Sequence, residues 1–245
     1  EQVQKDVTKA VASLETALSR NPREPRWHYE LDVLYERAGA DPAKRLKRLL
    51  DNYNTVSERD DSFSRVVLLW VLTGEYDKAL DVMSKRHFHN WEGGGGLRSA
   101  FEDAHLLRGL KAFSQGQHAQ ALSDFKAALE FPKNLEAAWP YRGGRIAEIY
   151  YFNGMAHEAL GQTEQARECY RSAINHRQSS QYSTQTYFRA MAMKRLGEST
   201  KADELLAGLL QFANRPPSRG VSFFAKFGEQ LPENVLRSQN HYLRG

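Results

Sequence analysis

The stretch GQTEQARECYRSA, Gly161 to Ala173, decides how this chain is read. A glycine closes one helix, and Ala166, Tyr170 and Ala173 then mark one face of the next, four and three residues apart. The arrangement recurs with substitutions. GEYDKALDVM carries it as Gly74, Ala79 and Met83, GQHAQALSDFKAA as Gly116, Ala121, Phe125 and Ala128, and GESTKADELL as Gly197, Ala202 and Leu206. Helix-ending glycines fall at 39, 74, 116, 161 and 197, with gaps of 35, 42, 45 and 36 residues. The short gaps match a helix–turn–helix unit of about 34 residues, and the long ones the same unit with inserted loop residues. The expected fold is all-α, a right-handed α-solenoid of helical hairpins.

Composition agrees with a packed array. Of 245 residues, 41% are apolar and 26% charged, enough to bury a continuous core. No apolar run is long enough to span a bilayer. The opening EQVQKDVTKAV is polar and helix-like rather than a secretory leader, and a cytoplasmic chain is the mild expectation. Net charge is +4, which favours nucleic acid only if concentrated on one face. The densest basic cluster, Lys44, Arg45, Lys47 and Arg48, alternates with Leu46, Leu49 and Leu50, as the solvated side of an amphipathic helix does. Cys169 is the only cysteine, so no intrachain disulfide forms, and its place beside Tyr170 reads as a small core residue.

Within each unit, small residues at the eighth and twentieth positions let two helices approach, and bulky ones at the fourth, eleventh and twenty-fourth fill the layer to the next hairpin. In that frame the chain resembles a tetratricopeptide repeat array. Residues 1–22 read as a second helix with Ala10, Leu14, Ala17 and a closing Pro22, and 23–214 as full units. The first of these has Trp27, Leu31 and Tyr35 as its stripe but places Asp32 at the small eighth position, a departure from the pattern. The next uses Val67 and Trp70. Gly109, Gly154 and Ala190 then take the eighth position in turn. RPPSRG (215–220) breaks the array, 215–231 reads as a packed connector with Phe223, Phe224 and Phe227, and 232–245 as the start of a further, truncated unit. Both ends therefore read as interior to a longer array.

The stretched gaps place inserted loops near 84–99 and 131–147. The first, SKRHFHNWEGGGGLRS, sets Trp91 and Glu92 before four glycines; the second, FPKNLEAAWPYRGGR, combines Trp139, Tyr141 and Arg142 with a glycine pair. Aromatics beside glycine and arginine suit contact with proteins or sugars. The leading reading of the same tryptophans is structural, as plugs for the space that longer loops open between hairpins. ELDVLYERAG, TGEYDKAL, RHFHNWEGGGG and FPKNL together resemble the C-terminal repeat region of a bacterial family whose members carry an N-terminal β-rich domain similar to mutarotase-like carbohydrate-binding sandwiches. That resemblance runs from about Trp27 to Gly245. It implies the helical half of a carbohydrate-linked protein and carries over no catalytic residue.

Motifs of known chemistry are scarce. His87 and His89 alternate without a third ligand at a familiar metal spacing. HEALG (157–161) has glycine where a zinc-protease helix needs its second histidine, and GGGGLRS lacks the Lys-Ser/Thr ending of a phosphate loop. No cofactor, metal or catalytic group is expected, and the chain does not read as an enzyme in its own right. The leading expectation is a scaffold whose first helices line a polar groove for a peptide or a neighbouring domain of the same polypeptide. Candidate contacts are Arg108, Asn153 and His157 on helices, with Trp91, Glu92 and Arg142 on loops. Two alternatives are an accessory domain that completes a carbohydrate site, and an RNA-binding helical repeat. The RNA alternative is the weaker, because no base-reading pattern recurs at matched positions.

Overall fold

The computed structural model describes residues 2–89, 95–136, 144–176 and 182–214. The connector at 215–231 and the truncated unit at 232–245 lie outside them. Among the described residues the chain is an all-α helical repeat, with twelve α-helices, one 3-10 turn and no strand. It divides into two compact units, residues 1–139 and 140–245.

The first unit holds α1 (Gln2–Arg20), α2 (Pro25–Arg37), α3 (Pro42–Leu50), the short α4 (Tyr53–Val56), α5 (Asp60–Leu72), α6 (Tyr76–Lys85), α7 (Gly95–Ser114), α8 (His118–Ala127) and the 3-10 turn Lys133–Leu135. Two helix starts follow directly from sequence. Glu24 and Asp41 cap α2 and α3 with their carboxylates, Asp41 accepting from the Lys44 amide at 2.9 Å, and proline takes the first helical position of each. The second unit holds α9 (Ile146–Ala159), α10 (Thr163–Asn175), α11 (Thr184–Arg195) and α12 (Ser199–Ala213). Ser183 and Thr186 form a reciprocal capping box at the start of α11.

Each first helix ends in the same way. Gly39, Gly74, Gly116, Gly161 and Gly197 all take φ between 72° and 84°, the left-handed conformation that favours glycine. The residue after each glycine donates its amide back to Tyr35, Trp70, Ala112, His157 or Met193, at 2.8–2.9 Å. These are five copies of one Schellman stop, which satisfies carbonyls that a helix end would leave bare.

Taking each of these glycines as position fifteen puts the eighth and twenty-fourth positions face to face, and their identities are coupled. A Cβ on Gly154 would lie 2.7 Å from Cδ1 of Tyr170, and one on Gly109 would lie 2.5 Å from Cε1 of Phe125. Both distances are shorter than real Cβ contacts, so an aromatic ring at the twenty-fourth position requires glycine at the eighth. Where Met83 or Leu206 stands there instead, Val67 or Ala190 fits.

The first hairpin carries a charge at the eighth position instead. Asp32 is fully buried and accepts from Nε and Nη2 of Arg45 at 3.1 and 2.9 Å, and from Nε of Arg65 at 2.7 Å. Glu36 receives the other arm of Arg65 at 2.7 Å. The departure at Asp32 is thus one end of an ion network joining α2, α3 and α5. This corrects the solvated-face expectation for the basic cluster. Arg45 is buried on Asp32, and Arg48, half-buried, donates to the His28 carbonyl at 3.0 Å and lies over the Tyr35 ring; Lys44 and Lys47 alone stay exposed. Cys169 also departs from expectation, being half-buried, whereas Tyr170 beside it is buried.

Candidate partner-binding site

The three described candidates on helices are engaged within the fold. Arg108 donates from Nε to both Asp124 carboxylate oxygens at 3.0 and 3.1 Å, from Nη2 to Asp124 at 2.6 Å and from Nη1 to Asp77. His105 Nδ1 lies 3.1 Å from the same Asp124 oxygen. Burial works against the Asp124 carboxylate, yet the hydrogen bonds from His105 and Arg108 outweigh it and hold its pKa below the ordinary value. The cluster ties α7 to α8 and α6. Asn153 is buried and donates Nδ2 to the Ile149 carbonyl at 3.0 Å. His157 is buried against Gln162, which meets its Nδ1 by side chain and its carbonyl by backbone amide.

The row beside these residues is apolar. The ninth position, next to the eighth, is Val33, Leu68, Leu110, Met155 and Met191 in the five hairpins, and each is incompletely buried, Met155 and Met191 packing on a core cluster. In the first unit Leu72 and Leu107 add 54% and 38% exposed surface on α5 and α7. In the second, Tyr187 is 45% exposed and begins a run of rings, with Tyr187–Phe188 centroids 5.3 Å apart and Phe188–Phe152 centroids 5.5 Å apart. The charges on these helices are mostly paired. Arg195 meets Glu158 at 3.1 Å, Lys194 meets Asp203 at 2.9 Å, and Arg145 meets Glu148 at 2.8 Å. Sequence reading took this face as polar because it singled out Arg108, Asn153 and His157. The signal it passed over was the repetition of an apolar residue at one register.

Trp91, Glu92 and Arg142 lie outside the described residues, as do Trp139 and Tyr141. The roots of both inserted loops are described, and they are bonded to each other. The Phe88 amide donates to the Asn134 carbonyl at 2.7 Å, and Asn134 Nδ2 donates to the Met83 and Arg86 carbonyls at 2.8 and 2.7 Å. Phe88 is buried and stacks on Phe63, with the Arg86 guanidinium 4.6 Å from the Phe63 ring centre. Outside this plug, His87 lies 2.7 Å from Glu136, which takes a left-handed φ of 44°. His89 meets Asp60 through both its amide (3.0 Å) and its ring (2.9 Å). The histidines of the HFH motif therefore serve the loop junction. Burial opposes the Asp60 carboxylate, but the bonds from His89 and Arg86 prevail and lower its pKa. Among the described residues no group of three or more His, Cys, Asp or Glu is arranged to hold a metal, and no helix is long and apolar enough to cross a membrane.

Helical hairpins that repeat one stop and one packing contact define a helical-repeat protein. Residues 147–176, which are α9 with α10, match the tetratricopeptide repeat family model. The chain contains a repeat of that type, and the match begins at the residue that the glycine frame numbers as position one.

Proposed function

We propose that this chain is a non-catalytic interaction scaffold that holds a protein segment along the first helices of its hairpins. The observation that carries the reading is the ninth position, apolar and incompletely buried in each of the five first helices. Burying a half-exposed leucine or methionine contributes roughly 1 kcal/mol at 25 cal/mol per Å². Several in a row supply the affinity of a modest interface without any deep pocket. Arg108, Asn153 and His157 then act by fixing the helices that present the row. The partner the resemblance suggests is the β-rich domain of the same polypeptide. Calorimetric titration of this chain against that domain tests it. Binding should weaken at least tenfold in Leu72→Asp combined with Met191→Asp, and the absence of binding by the unaltered chain would remove the neighbouring domain as partner.

A second reading is supported by the loop junction. We propose that Trp91, Glu92 and Arg142, on the two inserted loops, are further partner contacts. On the carbohydrate alternative, replacing Trp91 and Trp139 together by alanine abolishes sugar binding by the full-length protein. Unchanged binding would count against it. RNA binding has less support, because burial takes Arg45 out of the densest basic cluster and half-covers Arg48.

A further inference from the structure

Within each compact unit one second helix, α6 or α10, is covered by the first helix of the next hairpin, α7 or α11. Met83 on α6 is fully buried in a core with Leu97, Ala100, Phe101 and Ala104 of α7. Tyr170 on α10 is buried with Ala192 of α11. The equivalent residue of α12, Leu206, is only half-buried, and Leu210 one turn further is 48% exposed. Among the described residues α12 packs mainly on α11, with Tyr182 just before α11 set against Gly208 and Phe212. Its open side nevertheless repeats the apolar chemistry that its counterparts bury.

The chain supplies a matching occupant. Nine residues separate α6 from α7, and eight separate α10 from α11. Seven residues past α12 begins VSFFAKFGEQL (221–231), with Phe224, Phe227 and Leu231 three and four residues apart and Phe223 four before Phe227. That is the periodicity of an apolar helical stripe, and Pro216 and Pro217 precede it rather than interrupt it. We propose that residues 221–231 cover the open side of α12, seating phenylalanines on Leu206 and Leu210 as α7 and α11 cover their own neighbours.

Hydrogen exchange of the full chain, read by mass spectrometry over peptides from 199–213, tests this. Phe223→Ser, Phe224→Ser and Phe227→Ser together should speed exchange in α12 at least tenfold, while peptides from α9 and α10 keep their protection and show the rest of the unit folded. The single variant Leu210→Asp should raise exchange in peptides spanning 221–231 in turn. Unchanged exchange in α12 in the triple variant overturns the proposal. So does protection of α12 that grows with protein concentration, since a second copy would then be the cover.

Discussion

Asp32→Ala is the most informative single substitution in the first unit. The Asp32 carboxylate is fully buried and accepts three hydrogen bonds from Arg45 and Arg65. Removing it leaves the Arg45 guanidinium, 4% exposed, with Glu36 at 3.7 Å as its remaining anion. Stranding one partner of a buried ion pair costs about 3–5 kcal/mol. Glu36 still answers part of the charge and keeps Arg65 at 2.7 Å, which places the expected loss near the lower end, about 3 kcal/mol. The loss comes mostly from the uncompensated cation rather than from the missing attraction. Adding Arg45→Leu should therefore recover about 2 kcal/mol, because an apolar side chain of similar reach removes the stranded charge. Urea unfolding followed by far-ultraviolet circular dichroism measures both variants. A loss under about 1 kcal/mol for Asp32→Ala, or a double variant no better than the single one, would refute the view that charge replaces the small-residue contact here.

Gly154→Ala should destabilise the second unit by about 1–3 kcal/mol despite alanine's better helix propensity, because its methyl meets the Tyr170 ring, and Tyr170→Leu in the same chain should relieve the strain; thermal melts of the two variants decide it. His28 is buried, and burial, with Arg48 nearby, lowers its pKa despite a hydrogen bond to the Pro22 carbonyl. The unfolded chain then binds a proton more readily than the folded one, so stability should fall as pH drops below about 6.5, and His28→Gln should flatten the slope between pH 7.5 and 5.5. Asp60, Asp61 and Asp124 all have lowered folded pKa values, each opposed by burial and carried by hydrogen bonds from Arg, His or backbone partners. Their contribution is complete above about pH 4 and lost as pH falls through the folded values, a second acid transition that Asp124→Asn should diminish. Asn134→Ala removes two bonds to the loop root and should cost about 1–3 kcal/mol locally, read as faster exchange of the Phe88 amide.

Much of the fold was legible because its rules are local. A glycine that stops a helix and an alanine five residues on lie within six residues of chain, and their recurrence at 74, 116, 161 and 197 needed no tertiary information. The coupling of Gly154 with Tyr170 was half legible. Both residues stood out, but only packing revealed that the ring forbids a side chain opposite it. Asp32 was visible as an exception and unexplained, because its partners Arg45 and Arg65 lie 13 and 33 residues away and belong to different helices. The site suffered from a bias of residue type. Arginine, asparagine and histidine attract attention as ligand groups, yet each is engaged within the fold, while the leucines and methionines of the ninth position are incompletely buried. Asn134 shows the same difficulty, since nothing in KNL reports that its amide fastens the loop 48 residues earlier.

The five Schellman stops have a consequence for how such a chain can change. From α5 onward each turn inside a hairpin is three residues long, whereas the links between hairpins run from eight residues up to eighteen between α8 and α9. A left-handed glycine with two fixed return bonds leaves no slack for an added residue, while the links already differ in length from one hairpin to the next. Novelty is thus channelled to the links, and a tag, epitope or sensor grafted into this chain belongs there; the same graft at Gly116 or Gly161 would pull a hairpin apart.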